Sequence, residues 1–276
     1  MSLPPPLTAP QAPRILQERP NRKFASFRAV SALMLREMAT RYGNSPGGYI
    51  WAILEPLGAI LVMALAFSLI VRSPPLGNNF ILFYATGFMP FQLYQQISST
   101  VSSSINFSRP LLQYPAVTWA DAVMARLFLN ALTGVLVTII VMSSLLIVTD
   151  TKVLLDLSPA LAAMSLAILL GLGIGSVNCV LFGLFPVWSQ IWGILNRPLV
   201  LASGVIFLFD DLPPAIQDIL WYNPLIHVTG EMRTGFYPTY RPDYISLLLP
   251  ALIGVITLFF GVLLMGRYHR DLLNNR

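Results

Sequence analysis

Tyr49-Ile-Trp-Ala-Ile-Leu-Glu-Pro-Leu-Gly-Ala-Ile-Leu-Val-Met-Ala-Leu-Ala-Phe-Ser-Leu-Ile-Val71 carries a single charged side chain, Glu55, in an otherwise apolar run. Roughly 20 mostly apolar residues cross the hydrocarbon core of a bilayer as an α-helix, so this run alone spans a membrane. Five more runs of comparable length follow, at residues 80–103, 117–148, 159–184, 187–209 and 245–266. Between residues 49 and 266 they leave little room for a soluble domain. The expected fold class is an all-α integral membrane protein of six transmembrane helices, with an N-terminal amphipathic interface helix and short external re-entrant helices before the last span.

Composition agrees, with 55% hydrophobic and 11% charged residues against about 25% charged in soluble domains. A formal net charge of +5 does not point to nucleic acid, because the basic residues flank the apolar runs and form no basic domain of their own. Arg14, Arg19, Arg22, Lys23, Arg28, Arg36 and Arg41 precede the first run, and Arg267, Arg270 and Arg276 follow the last. Cytoplasmic flanks carry the excess of Lys and Arg, so an even number of crossings with both termini cytoplasmic is expected. The loops this places outside carry only Arg72, Lys152, Arg233 and Arg241. Cys179 is the single cysteine, lies inside the fourth run and excludes an intramolecular disulfide.

Residues 1–23 begin with five prolines before residue 14 and lack the apolar core of a secretory signal, which reads as a disordered cytoplasmic tail. Over residues 24–42, Phe27, Val30, Met34 and Met38 recur at helical spacing among Arg28, Arg36 and Arg41, the pattern of an amphipathic helix in the membrane interface. A short soluble helix packed on a partner is the other reading. Gly43-Asn-Ser-Pro-Gly-Gly48 ends it and turns the chain into the bilayer. Residues 271–276 form a short cytoplasmic C-terminus.

No phosphate-binding loop is present, since neither Lys23 nor Lys152 follows a glycine-rich turn. The Gly171-Leu-Gly-Ile-Gly175 run lacks a preceding strand and suits close helix approach in a membrane. With two histidines, His227 and His269, and no Cys or His pair at ligand spacing, neither metal nor cofactor is expected, and an enzyme is disfavoured. His227 and Glu231, four residues apart, suggest a local hydrogen-bonded pair.

The second run carries two side-chain patterns. Gln92, Gln95, Gln96, Ser99, Ser103 and Asn106 fall on one side at helical spacing, and Phe80, Tyr84, Phe88 and Phe91 on an adjacent one. Amides are costly against lipid, so the polar stripe should face protein or water. Together the two stripes could line a conduit for a sugar polymer, amides meeting hydroxyls and rings meeting sugar faces. The alternative is that the polar residues join helices and the aromatics face lipid. Arg197, near the middle of the fifth run, is a functional suspect by its depth and could meet an anionic substrate or pair with Glu55. Trp51 and Glu55 of the first run, with Arg197, complete the conduit candidates. Asp121 and Arg126 read as structural charges near the cytoplasmic end. Residues 210–244 mix apolar residues with breakers: Pro213-Pro214 and Asn223-Pro224 can each open a short helix and Gly235 can end the second.

Three stretches carry a resemblance. Leu35-Arg-Glu-Met-Ala-Thr-Arg-Tyr-Gly43 with Gly48-Tyr-Ile-Trp-Ala-Ile-Leu-Glu-Pro56, Arg109-Pro-Leu-Leu-Gln-Tyr-Pro-Ala116 with Asp121 and Arg126, and Leu220-Trp-Tyr-Asn-Pro-Leu-Ile-His-Val-Thr-Gly-Glu-Met-Arg-Thr-Gly-Phe236 are similar to ABC type-2 exporter permeases, close to the capsular polysaccharide branch. The resemblance covers residues 24–270. It implies a permease of the bacterial inner membrane that pairs with a second copy of itself and with two ATP-binding subunits, which bind the ATP and Mg that this chain does not. The cargo it implies is a lipid-linked capsular polysaccharide, passed on to periplasmic and outer-membrane export proteins. It also implies an ATPase-coupling helix at residues 107–114, with Phe107, Arg109, Leu111, Leu112, Gln113 and Tyr114 as contacts. The external segment would be a gate, with Trp221, Tyr222, His227, Glu231 and Arg233 as its candidates. A related permease for O-antigen, teichoic acid or a drug, a membrane-bound transferase and a proton-driven carrier are the alternatives.

Overall fold

The structure, a computed structural model, describes residues 25–42, 48, 50–69, 73–112, 117–149 and 155–274. These are helical with no strand among them: α1 (Ala25–Tyr42), α2 (Ile50–Ser68), α3 (Phe80–Ser102), α4 (Ser104–Leu112), α5 (Trp119–Val148), α6 (Leu157–Leu184), α7 (Pro186–Ala202), α8 (Pro214–Leu220), α9 (Pro224–Phe236) and α10 (Leu248–Asn274). Among the described residues, α2, α5, α6 and α10 are long and apolar enough to cross a membrane by length and composition alone. The chain is an all-α membrane protein. The expected tail over residues 1–23 and the glycine-rich turn at 43–47 lie outside the described residues.

The packing centre is α6, which lies against α3, α9 and α10. Its glycines make this possible. A Cβ on Gly171 would sit 2.9 Å from the Tyr94 carbonyl, and one on Gly175 2.9 Å from the Ser98 carbonyl, both on α3; a Cβ on Gly173 would run into Thr257 and the Gly254 carbonyl of α10. Small residues thus face two neighbours from one run, replacing side-chain bulk with backbone contact in a setting where helix association depends on packing. From the other side, α3 presents Phe83, Tyr94 and Ile97, all nearly inaccessible.

Local chemistry sets the helix starts. Asn79 caps α3 through its side chain to Ile81 N, and Thr118 caps α5 in a reciprocal box in which Asp121 accepts from the Thr118 backbone N–H. Asp121 is therefore a capping residue. The expected helix openings at Pro214 and Pro224 are present, with Asn223 capping α9. Gly235 does not end α9, which continues to Phe236; its missing Cβ instead admits the Asp156 carbonyl before α6.

The fifth apolar run is not one helix. It stops at Ala202, and the chain turns through Gly204 at φ +68°, a left-handed conformation suited to glycine. Irregular backbone buried in protein needs partners for its polar groups, and α9 supplies them here. Asn223 Nδ2 donates to Ala202 O at 2.8 Å, Thr229 Oγ1 to Ser203 O at 2.7 Å, and the Arg233 guanidinium to Val205 O at 2.9 Å and Phe207 O at 3.1 Å. The expectation of a helix through residue 209 fails because hydropathy registers side chains and not these long-range backbone partners. Arg197 consequently lies near the end of α7 and is exposed.

The bundle has two differently built ends. At one, Asp156 N donates to Gly235 O, and Gly77 lies under the Tyr237 ring. At the other, Arg109 Nη2 donates to Leu273 O at the end of α10, and α1 docks on α5.

Candidate functional site

A cavity of about 540 Å³ opens between α2, α3 and α5. On α3 it is walled by Gln92, Gln95, Gln96 and Ser99, on α2 by Trp51 and Glu55, and on α5 by Thr133 and Thr138. Six of the expected conduit residues, Trp51, Glu55, Gln92, Gln95, Gln96 and Ser99, are thus brought together around one cavity. Their chemistry is that of neutral donors and acceptors with one carboxylate, suited to hydroxyl-rich ligands. Behind the wall, Gln96 Nε2 donates to Asn130 Oδ1 at 3.2 Å, and the fully buried Asn130 donates to Arg126 O.

The aromatic half of the expected stripe is elsewhere. Tyr84 and Phe91 are each 2% exposed; Tyr84 packs on Phe67 and Phe80, Phe91 on Tyr94, and Phe88 lies against the same core. None of the three lines the cavity. A helix at about 100° per residue turns adjacent stripes to different neighbours, and the aromatic one faces inside the bundle. Arg197 lines neither described cavity. Among the described residues no ion pair joins it to Glu55, and both side chains are exposed.

A second cavity, of about 270 Å³, is lined by Glu37, Thr40, Ser99, Thr100, Ser103, Phe107 and Arg126. Its chemistry centres on Arg126, whose Nε lies 3.3 Å from Glu37 Oε2 of α1. Nη1 donates to Thr100 O at 2.6 Å and Ser103 Oγ at 2.7 Å, and the guanidinium lies 4.1 Å from the centre of the Phe107 ring. Sequence reasoning misses Glu37 because the apolar spacing of α1 reads as a face turned to the membrane interface, which leaves the carboxylate on the polar side. In the structure Leu33 and Glu37 are the buried residues there, while Phe27 is 72% exposed. Pairing with a buried arginine is what allows a carboxylate that position. Thr133 and Thr138 were also missed; polar residues spaced along the otherwise apolar third run were the available signal.

Of the expected coupling residues, Phe107 and Arg109 are half-buried on α4, Leu112 packs on the core, Leu111 is half-buried beside it, and Arg109 holds the end of α10. Gln113 and Tyr114 lie outside the described residues.

The expected external candidates form a compact knot. Trp221 Nε1 donates to Tyr244 O at 3.2 Å, and Tyr222 is exposed. The His227 ring is buried, with Ser246 N–H donating to Nδ1 and Nε2 2.8 Å from Trp221 O. An Nδ1 that accepts leaves the proton on Nε2, so the ring is neutral with Nε2–H donating to Trp221 O. Burial pushes its pKa down in the same direction. Both ring nitrogens are therefore engaged away from Glu231, and the expected His227–Glu231 pair does not form. Glu231 is half-buried, and burial with the nearby Asp156 charge raises its carboxyl pKa. Arg233 is 1% exposed, its charge met by the two carbonyls and by the Phe83 ring 4.3 Å away.

The chain is 32% identical over 235 residues to the polysialic acid transport protein KpsM of Escherichia coli, covering 85% of this chain and 91% of that one. It is 26% identical over 243 residues to the capsule polysaccharide export inner-membrane protein CtrC of Neisseria meningitidis serogroup B, and likewise to BexB of Haemophilus influenzae, covering 88% of this chain and 92% of each relative. Residues 28–237 match the ABC-2 type transporter description. That match spans the residues of both cavities and all of α9, and the chain belongs to the ABC-2 type transporter family.

Proposed function

We propose that this chain is the permease subunit of an ATP-driven exporter that moves a lipid-linked capsular polysaccharide out of the cytoplasm across a bacterial inner membrane. The observation that carries the reading is the amide and hydroxyl wall of the 540 Å³ cavity, set among apolar helices. Neutral polar groups facing a cavity at membrane depth need a hydrated or hydroxyl-bearing occupant, and a glycan supplies one. The curated relatives, matched along nearly their whole length, support the choice of capsular polysaccharide.

In this reading α2, α3, α5, α6, α7 and α10 are the six crossings, and both termini are cytoplasmic. α3 crosses as a helix shielded inside the bundle, which is why it tolerates three glutamines. No residue of α7 is buried within the chain, and α2 buries only Pro56, Ile60 and Ala64. An exposed arginine facing lipid is costly, so the α7 face that carries Arg197 meets a second copy of the chain or the water of the conduit. Two ATP-binding subunits dock at α1 and α4 and bind ATP and Mg. The knot of α8 and α9 forms the external cap of the path, from which periplasmic and outer-membrane export proteins receive the polymer.

The test is purification of the chain from native membranes, with identification of what co-purifies and measurement of surface glycan. Gln95→Leu, which removes an amide from the wall without touching the Gln96–Asn130 bond, should lower surface glycan about 10-fold, the loss that follows when partner groups go unpaired, at unchanged protein level. Absence of a stoichiometric ATP-binding subunit, or unchanged glycan in the variant, would count against the proposal.

A further inference from the structure

One guanidinium ties together four helices where the two cavities meet. Arg126 of α5 pairs with Glu37 of α1, donates to Thr100 O and Ser103 Oγ at the last turn of α3, and lies on the Phe107 ring of α4. Arg36 of α1 lies 5.3 Å from the centre of the same ring. Ser99 and Thr100 line both cavities, so the last turn of α3 is the partition between them. One turn along α5, Asn130 joins the Arg126 carbonyl to Gln96 on the larger cavity's wall. Displacing α1 or α4 must either strip Arg126 of Glu37 or of its aromatic face, or drag the last turn of α3 with it.

We propose that the Glu37–Arg126–Phe107 cluster is a latch: closed, it holds the partition between the two cavities, and movement of α1 and α4 releases it and opens the larger cavity toward the cytoplasmic end. This rests on the exporter reading above and adds to it the residues through which motion at the ATPase contact reaches the cavity. Arg126 and Glu37 are positioning residues; neither needs to touch the cargo. A buried ion pair suits such a role because it has two discrete arrangements, paired or broken, in place of a continuous range. Glu37→Gln keeps shape and removes one charge; Phe107→Leu keeps apolar volume and removes the ring face.

The experiment measures surface glycan on intact cells and ATP hydrolysis by the complex purified from the same cells, both normalised to the amount of assembled complex. A purely structural role would lower abundance and leave glycan exported per ATP unchanged. The latch predicts that Glu37→Gln lowers export per ATP about 10-fold, within the range of coupling between distinct sites, with Phe107→Leu lowering it less. The double variant Glu37→Arg with Arg126→Glu, which restores a pair of opposite polarity, should regain part of the ratio. An unchanged ratio in both single variants overturns the latch. If Glu37→Gln does not assemble, Phe107→Leu decides by the same ratio. Failure of the wild-type complex to recruit an ATPase or display glycan would instead overturn the exporter reading, so the two failures are distinguishable.

Discussion

Arg233→Met should loosen the end of α7 more than any other single change in the knot of α8 and α9. The arginine donates two charge-assisted hydrogen bonds, to Val205 O and Phe207 O, from a position 1% exposed. Methionine fills much of the same volume but leaves both carbonyls without these donors, at about 1–3 kcal/mol for each unsatisfied buried group. It also loses the contact with the Phe83 ring, about 1–2 kcal/mol for a desolvated cation over an aromatic face. Against this, the variant no longer buries a cation, which returns several kcal/mol once relaxation and water penetration are allowed for. The net expectation is a loss of about 3 kcal/mol, concentrated in residues 203–212, and at about 1.4 kcal/mol per tenfold this is a factor of about 100 in local opening. Arg233→Lys should recover only part, since an ammonium lacks the planar fork that reaches two carbonyls at once. Hydrogen exchange of the purified protein in detergent, resolved by segment, reads the effect directly. Protection of residues 203–212 unchanged within about twofold would refute the argument that Arg233 supplies the partners the broken helix needs.

Two further outcomes are expected. Gly175→Ala places a Cβ 2.9 Å from the Ser98 carbonyl, a backbone atom that cannot rotate away, so thermal denaturation should show about 1–3 kcal/mol of overpacking cost, whereas Gly266→Ala, with nothing within 4 Å, should be neutral or slightly stabilising. His227 has its pKa lowered by burial from an ordinary value of 6.5, so the unfolded chain binds the proton more readily than the folded one. Its stabilising contribution is complete above 6.5 and is lost as pH falls below that value toward the folded pKa. His227→Gln should flatten the pH dependence of unfolding in that acidic window, and an unaltered slope would contradict the neutral Nε2–H assignment.

The polar half of the cavity was legible because glutamines at positions 92, 95 and 96 of an apolar helix demand a non-lipid neighbour whatever the fold. Its aromatic half was misassigned because the sequence shows which residues share a helix face but not which neighbour that face meets. Phe91 and Gln92 are adjacent in the chain, yet one lies in the core and the other on the cavity. Glu37 was overlooked for a related reason: a carboxylate reads as solvent-facing until its partner, far along the chain at Arg126, is in place.

By itself, the sequence determined that the chain is helical and membrane-embedded, that Gly171, Gly173 and Gly175 would be points of close helix approach, and that Asn223 with Pro224 would open a helix. Each of these rests on interactions within a few residues or on the free energy of moving a run of side chains into hydrocarbon. Only the tertiary structure decided that α7 stops at Ala202, that Arg233 can be buried without an acid, and that one arginine joins α1, α3, α4 and α5. Those outcomes depend on hydrogen-bond and charge partners many residues distant. Local pattern carries no information on which of the available donors will arrive at a given carbonyl or carboxylate.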